Sequence, residues 1–274
     1  MRKVIYFFTT LLFSTVIFAS EGLGIVSDED FLKVGVTPEN IEKAKLMVNR
    51  VSTNYKMLVL EKKQLLKRIP GGAVSIGRMP QNTIFSARES LHMDLKDKMA
   101  DYAVAHLIKE GMNVALDAGT TCCAIAKKLA DASCRCTVIT YSLPVANALV
   151  HCEHIEVFLM AGRLDKKHES FHDDVAVEAM KRMNSDVFFL SPNGIDPIAG
   201  ITSSATDENI MKRMMHEHAE ETIVCADHSK FLKKAFKTIC QLSDIKGILS
   251  DSELSGEIQQ KYSTMGVRLY LAEK

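Results

Sequence analysis

Five polar stretches each follow a short apolar run, and between them they hold the side chains able to grip a small anion. Val114-Ala115-Leu116 leads into Asp117-Ala118-Gly119-Thr120-Thr121, and the run ending at Thr140 leads into Tyr141-Ser142. The third run ends in Ala161-Gly162-Arg163, the fourth in Ser191-Pro192-Asn193-Gly194-Ile195-Asp196, and the fifth in Asp227-His228-Ser229-Lys230. A glycine turn with two hydroxyls, opening directly into a helix, offers unpaired backbone N–H groups and a positive dipole end, and Thr120 and Thr121 add side-chain donors. Arg163 and Lys230 can supply counter-charge. Asp117, Asp196 and Asp227 can accept hydrogen bonds from ligand hydroxyls, and Ser142, Gly162, Asn193 and Ser229 complete the set. The chemistry this suits is non-covalent binding of a phosphorylated polyol, and no catalytic residue is assigned.

Strand-like runs must position those stretches. They fall at 114–116, 137–140, 156–160, 187–190, 222–225, 248–249 and 267–271, with helix-like segments at 94–110, 123–130, 144–150, 174–183 and 207–219. Nearly unbroken apolar strands separated by helices indicate a mostly parallel sheet with helices on both faces, a Rossmann-like α/β fold. In such sheets ligands bind beyond the carboxyl ends of the strands, where the polar stretches lie. The α/β domain is expected over 73–274. Ahead of it, Thr37-Pro38 opens a long N-terminal helix over 37–69 whose heptad stripe runs from Ile41 to Ile69, interrupted at Lys62. That stripe wants a partner helix or its own domain, and a homo-oligomer is expected.

The chain has 34 basic and 34 acidic residues among 274, so no overall positive field draws it to nucleic acid. Seven cysteines, at spacings that match no zinc pattern, suggest reduced thiols and a cytoplasmic protein. Residues 1–20 argue the other way. Arg2 and Lys3 precede an apolar run to Ala19, the layout of a signal peptide, which would export or anchor the chain.

Other clusters have plainer readings. His216-Glu217-His218 sits on a helix where residues two apart diverge, so a solvated face is expected rather than a metal pair. His151 and His154 have the spacing of a pair but no third ligand in register. No metal site and no cofactor are assigned. Cys123, at a helix start, could be an activated thiol or a small core residue.

From Leu65 to Leu254 the sequence resembles the ligand-sensing region of DeoR-type bacterial transcriptional regulators. The resemblance is carried by Leu65 to Val74, Arg88-Glu89-Ser90 with Lys98, Leu116 to Thr121, Thr140 to Asn147, Met160 to Leu164, Phe189 to Asp196, Gly200-Ile201-Thr202 and Ala226 to Phe231. It implies a fold like ribose-phosphate isomerase and glucosamine-phosphate deaminase, with a sugar phosphate acting as effector, and a repressor of carbohydrate metabolism. Two departures stand out. Such regulators begin with a winged helix-turn-helix, which is not legible upstream of Lys67, so the DNA-binding half is expected to be absent or replaced and DNA is a doubtful partner. Asn193 stands where the family and the isomerases usually carry Asp, and an amide is no general base. The alternatives are a sugar-phosphate isomerase or deaminase using Asp196, Asp227, Glu208 or His228, and an exported or membrane-tethered coiled-coil interaction protein.

Overall fold

The computed structural model describes residues 66–69, 72–75, 85–89, 91–204 and 208–272. The chain divides into two compact units, Met1–Met79 and Pro80–Lys274. In the first, β1 (Leu66–Ile69) and β2 (Gly72–Ser75) pair antiparallel with Leu66 opposite Ser75 and Ile69 opposite Gly72. The expected helix over 37–69 is thus corrected at its end: its last four residues are strand. Pro70-Gly71, a dipeptide of turn type, separates the two paired strands. Residues 1–20 and the rest of the heptad helix lie outside the described residues.

In the second unit α1 (Phe85–Glu89) and α2 (Met93–His106) precede an alternation of strands and helices. These are β3 (Asn113–Leu116), α3 (Thr120–Asp131), β4 (Cys136–Thr140), α4 (Leu143–Leu149) and β5 (Ile155–Leu159). A small hairpin, β6 (Leu164–Asp165) with β7 (Ser170–Phe171), leads to α5 (Asp174–Met180) and β8 (Ser185–Leu190). Then come β9 (Gly194–Asp196), β10 (Gly200–Ser203), α6 (Glu208–Glu217), β11 (Ala219–Cys225), β12 (Lys237–Cys240), β13 (Gly247–Ser250), α7 (Gly256–Thr264) and β14 (Leu269–Leu271).

Seven strands form one sheet in the order β14-β13-β11-β8-β3-β4-β5, every pairing parallel. Alternate residues of each strand serve opposite faces. Val114 and Leu116 join Met99, Ala103, Ile125, Leu129 and Leu149 in one core layer, under α2, α3 and α4. Ala115, between them, joins Phe188, Leu190, Met180, Met211, Met215 and Tyr262 in the other, under α5, α6 and α7. Both faces are covered, which is why these strands read as unbroken apolar runs. The chain leaves β3 through β4 and β5 on one side, then returns to β8 on the other, so the topological switch point falls between β3 and β8. A separate antiparallel sheet, β12-β10-β9, grows from the loop after β8.

Candidate functional site

The carboxyl ends of β11, β8, β3 and β4 sit side by side, with neighbouring strands about 4.8 Å apart. Asp227 to Lys230, Ser191 to Asn193, Asp117 to Thr121 and Tyr141-Ser142 therefore share one edge of the sheet. Loops on either side of a switch point diverge and leave a crevice. Here α3 begins in that crevice. Its twelve residues start from Gly119, an extended N-cap with no side-chain cap, so the amides of the first turn open beside the half-buried Thr120 and the buried Thr121.

Asp117 has a different part from the one expected. It is fully buried, and its Oδ1 accepts from the Ala118 amide at 2.8 Å and from the Tyr141 hydroxyl. Its Oδ2 accepts from the Ser191 amide at 2.8 Å and pairs with the Lys212 ammonium. Four protein donors occupy both oxygens, so this carboxylate knits the loops after β3, β4 and β8 to α6 instead of receiving a ligand hydroxyl. The same pairing raises the Tyr141 phenol well above its ordinary value: burial first, then the Asp117 charge.

Gly119 is dictated by a close approach. A Cβ there would lie 2.1 Å from the Ser191 Cβ and 2.4 Å from its Oγ. Ser191 Oγ is in turn 3.3 Å from the Cys122 sulfur. Gly162 has a comparable constraint, since a Cβ would meet an Asp173 oxygen at 2.1 Å, while Asp173 Oδ2 accepts from the Arg163 amide at 2.8 Å. The Arg163 side chain is exposed and follows the edge strand β5, two strands from β3. Ser142 is buried as the N-cap of α4, its hydroxyl accepting from the Val145 amide.

Asn193 braces its own loop, its side-chain oxygen accepting from the Ser203 hydroxyl and the Ser204 amide, both at 3.1 Å. Asp196 closes the β9–β10 turn by accepting from the amides of Ile198 and Ala199, at 2.9 and 2.7 Å. Those two amides hold its carboxyl below its usual range. Both bonds fall on Asp196 Oδ1, so this oxygen serves the turn.

At the end of β11, Asp227 is buried and caps a single 3-10 turn at His228–Lys230 by accepting from the Ser229 amide at 2.9 Å. Burial pushes its carboxyl up, but the Lys230 charge and the Ser229 hydroxyl and amide outweigh it, and the net shift is downward. Beside it lies a residue the sequence did not single out. Lys96 is buried in α2, and its ammonium donates to the Arg88 carbonyl at 2.6 Å. Burial lowers its pKa to about 8, with Asp227 opposing and Lys230 and Arg88 reinforcing. Arg88 has its Nε and one Nη buried without a partner among the described residues, and its charge and that of Lys230 both act on Lys96. The motif match had pointed to Lys98, two residues away and therefore on another side of the helix. His92 was missed as well. It caps α2 from a left-handed conformation, φ 50°, and its ring meets that of His228 at 5.4 Å, where His228 Nδ1 lies 3.0 Å from Asp251.

No thiol here is poised to react. Burial raises Cys122 to about 12 and Cys123 to about 11, and all seven cysteines are unpaired. Cys123 is a core residue. Among the described residues no helix is long and apolar enough to cross a membrane.

A doubly wound sheet with an uncapped helix start at its switch point defines an α/β domain of the class that holds ligands beyond its strand ends. Residues 91–252 match the family model described as the DeoR C terminal sensor domain. The transcriptional repressor AccR of Agrobacterium fabrum is 31% identical over 83% of this chain and 86% of its own length. The HTH-type transcriptional repressor GlcR of Bacillus subtilis is 31% identical over 91% of this chain and 96% of its own. Ribose 5-phosphate isomerase A of Methanocaldococcus jannaschii, a solved structure, is 20% identical over 51% of this chain and 54% of that one, with a TM-score of 0.38. The chain belongs to the DeoR family of transcriptional regulators.

Proposed function

We propose that this regulator responds to a phosphorylated sugar bound at the switch-point crevice. The phosphate is placed on the first-turn amides of α3, with the hydroxyls of Thr120 and Thr121 and the ammonium groups of Lys96 and Lys230 around it. An ammonium has three donors, and Lys96 gives one to the Arg88 carbonyl. The sugar hydroxyls are left to Ser229 and Asn193. The observation that carries this reading is the uncapped twelve-residue helix start at the switch point, together with the buried Lys96 and the half-buried Arg88, whose Nε and one Nη lack a partner among the described residues.

A regulator is favoured over an isomerase because the carboxylates an enzyme would need are committed. Asp196 caps a turn and Asp227 caps the 3-10 segment, while Asn193 stands where a base is wanted. A cytoplasmic location belongs to the same reading, supported by seven unpaired thiols. The match to GlcR over 91% of the chain necessarily runs upstream of Leu66. This supports DNA contact by that segment, against the expectation of a missing DNA-binding half, and a gel shift with the intact chain decides between them.

The test of the effector is thermal stability with a panel of pentose and hexose phosphates and their unphosphorylated parents. A ligand that binds only the folded state stabilises it by about 2.7 kcal/mol at a hundred times Kd. At least one ester is expected to raise Tm and its parent to leave it unchanged. Equal shifts for ester and parent, or none for any ester, would place the effector chemistry elsewhere.

A further inference from the structure

Two buried imidazoles and two carboxylates converge in the loop that follows β5, outside the crevice just described. Asp165 ends β6, and its Oδ1 accepts from the amides of Lys167 and His168 at 2.8 and 3.3 Å. Glu169, in a left-handed conformation with φ 54°, reverses the chain so that His168 and His172 both return to the same carboxylate. Asp165 Oδ2 lies 2.8 Å from His168 Nδ1 and 3.3 Å from His172 Nε2. From the start of α6, Glu208 Oε1 approaches His168 Nδ1 to 3.8 Å, beyond hydrogen-bond distance. His168, His172 and Glu208 are 9%, 8% and 6% exposed, so three polar groups have been taken out of water to meet the half-buried Asp165 here.

We infer that Asp165, His168, His172 and Glu208 form a binding site for a divalent first-row transition metal ion, with Zn2+ as the ion that fits. The donor spacings carry the inference. A tetrahedral ion with bonds of about 2.0–2.1 Å sets its ligands about 3.3 Å apart; Asp165, His168 and His172 offer donor atoms all within 4.8 Å of one another, two of the contacts being 2.8 and 3.3 Å, and Glu208 approaches this trio through His168 at 3.8 Å. Imidazole and carboxylate donors suit Zn2+ far better than Mg2+ or Ca2+, which take oxygen alone. Two carboxylates balance the double positive charge, which makes burial of the whole assembly affordable. A second observation points the same way. Ser170 stands opposite Asp165 in the hairpin and so on the same face, and its hydroxyl is buried without a partner among the described residues. On binding, Zn2+ takes the coordinating nitrogen of each neutral imidazole, whose single proton sits on the other ring nitrogen, and any further proton leaves to solvent. The ion joins the β6–β7 loop to α6, the helix that also carries Lys212.

The experiment is equilibrium dialysis of the full chain against Zn2+ under reducing conditions, with the visible spectrum of the Co2+ form as second readout. One tightly held equivalent is expected. The cobalt spectrum should show d–d bands of a four-coordinate ion without the near-ultraviolet charge-transfer band of a thiolate. His172→Gln and Glu208→Gln should each weaken binding at least about tenfold, and Cys152→Ser should leave it unchanged. Glu208→Gln lies outside the hairpin, so it serves if His172→Gln does not fold. No stoichiometric zinc, a thiolate band, or unaltered affinity in whichever of the two variants folds would overturn the assignment.

Discussion

Asp117 and Lys212, 95 residues apart in sequence, form an ion pair in which neither side chain exceeds 3% exposure. Asp117 follows the first strand of the sheet and Lys212 lies in the second turn of α6, so this one contact ties the switch-point loop to the helix that covers the opposite layer. Because the Ser191 carbonyl also accepts from Lys212, at 3.2 Å, the loop after β8 is held by the same ammonium. The crevice is thus shaped from beneath by groups that no ligand reaches.

Removing one partner of a buried pair leaves an uncompensated charge. Lys212→Met is expected to destabilise the second unit by about 3–5 kcal/mol, read as a fall in the urea midpoint. Adding Asp117→Asn should recover part of that loss, since the charge is then gone from both sides. A fully additive double variant would show that the two residues do not act as a pair.

Gly119 supplies a cleaner test of the crevice. Gly119→Ala drives a methyl into Ser191 at 2.1 Å and is expected to cost about 1–3 kcal/mol. Ser191→Gly relieves that clash, so the double variant should regain most of the stability in a thermal melt. Since the first-turn amides of α3 remain in the double variant, it should also regain the Tm shift caused by the sugar ester. Recovery of stability without the ester response would mean that Ser191 itself touches the ligand.

Much of this architecture was legible. All seven expected strands are present within a few residues of their apolar runs, because a sheet covered on both faces leaves no polar position to confuse the pattern. The β6–β7 and β9–β10 hairpins were not seen. They are two to four residues long, held by loop contacts such as Asp196 to Ala199, and carry no period of their own. The site was legible by location and less so by role. Asp117 is a polar residue at a strand end whether it faces a ligand or, as here, the Tyr141 and Lys212 side chains. Lys96 is not legible because a lysine in an amphipathic helix reads as solvated, and only its hydrogen bonds to the Arg88 and Glu89 carbonyls show how it is buried. His168 and His172 lay in a stretch read as a loop, where four-residue spacing gives no hint that a left-handed Glu169 folds them onto one carboxylate.

The cysteines give a prediction independent of ligand. Cys136 and Cys240 are pushed up to about 11 and about 12 by burial, and the same cause raises Cys225 well above its ordinary value. Only Cys134 and Cys152 are partly exposed. A disulfide reagent at neutral pH is therefore expected to modify those two in the native protein, with the other five reacting only on unfolding. Rapid native modification of Cys123 would restore the activated-thiol alternative.

Lys96 sets the pH dependence of effector binding. Its folded-state pKa, about 8, lies below the ordinary 10.5, so between those values the unfolded chain holds a proton that the folded chain has released. By linkage this group's contribution to stability rises with pH across that window. A phosphate beside it reverses the preference, favouring the ammonium, so affinity for the ester should fall as pH rises through about 8. At the acid end affinity should rise toward neutrality as the ester, with a second pKa near about 6, becomes a dianion. Titration calorimetry from acid to alkaline pH should give a maximum between those limits. Lys96→Met should bind more weakly throughout and lose the alkaline limb while keeping the acid one, because the ester's own ionisation is untouched. An alkaline limb that survives this substitution would assign it to another group in contact with Asp227, with Lys230 the first to examine.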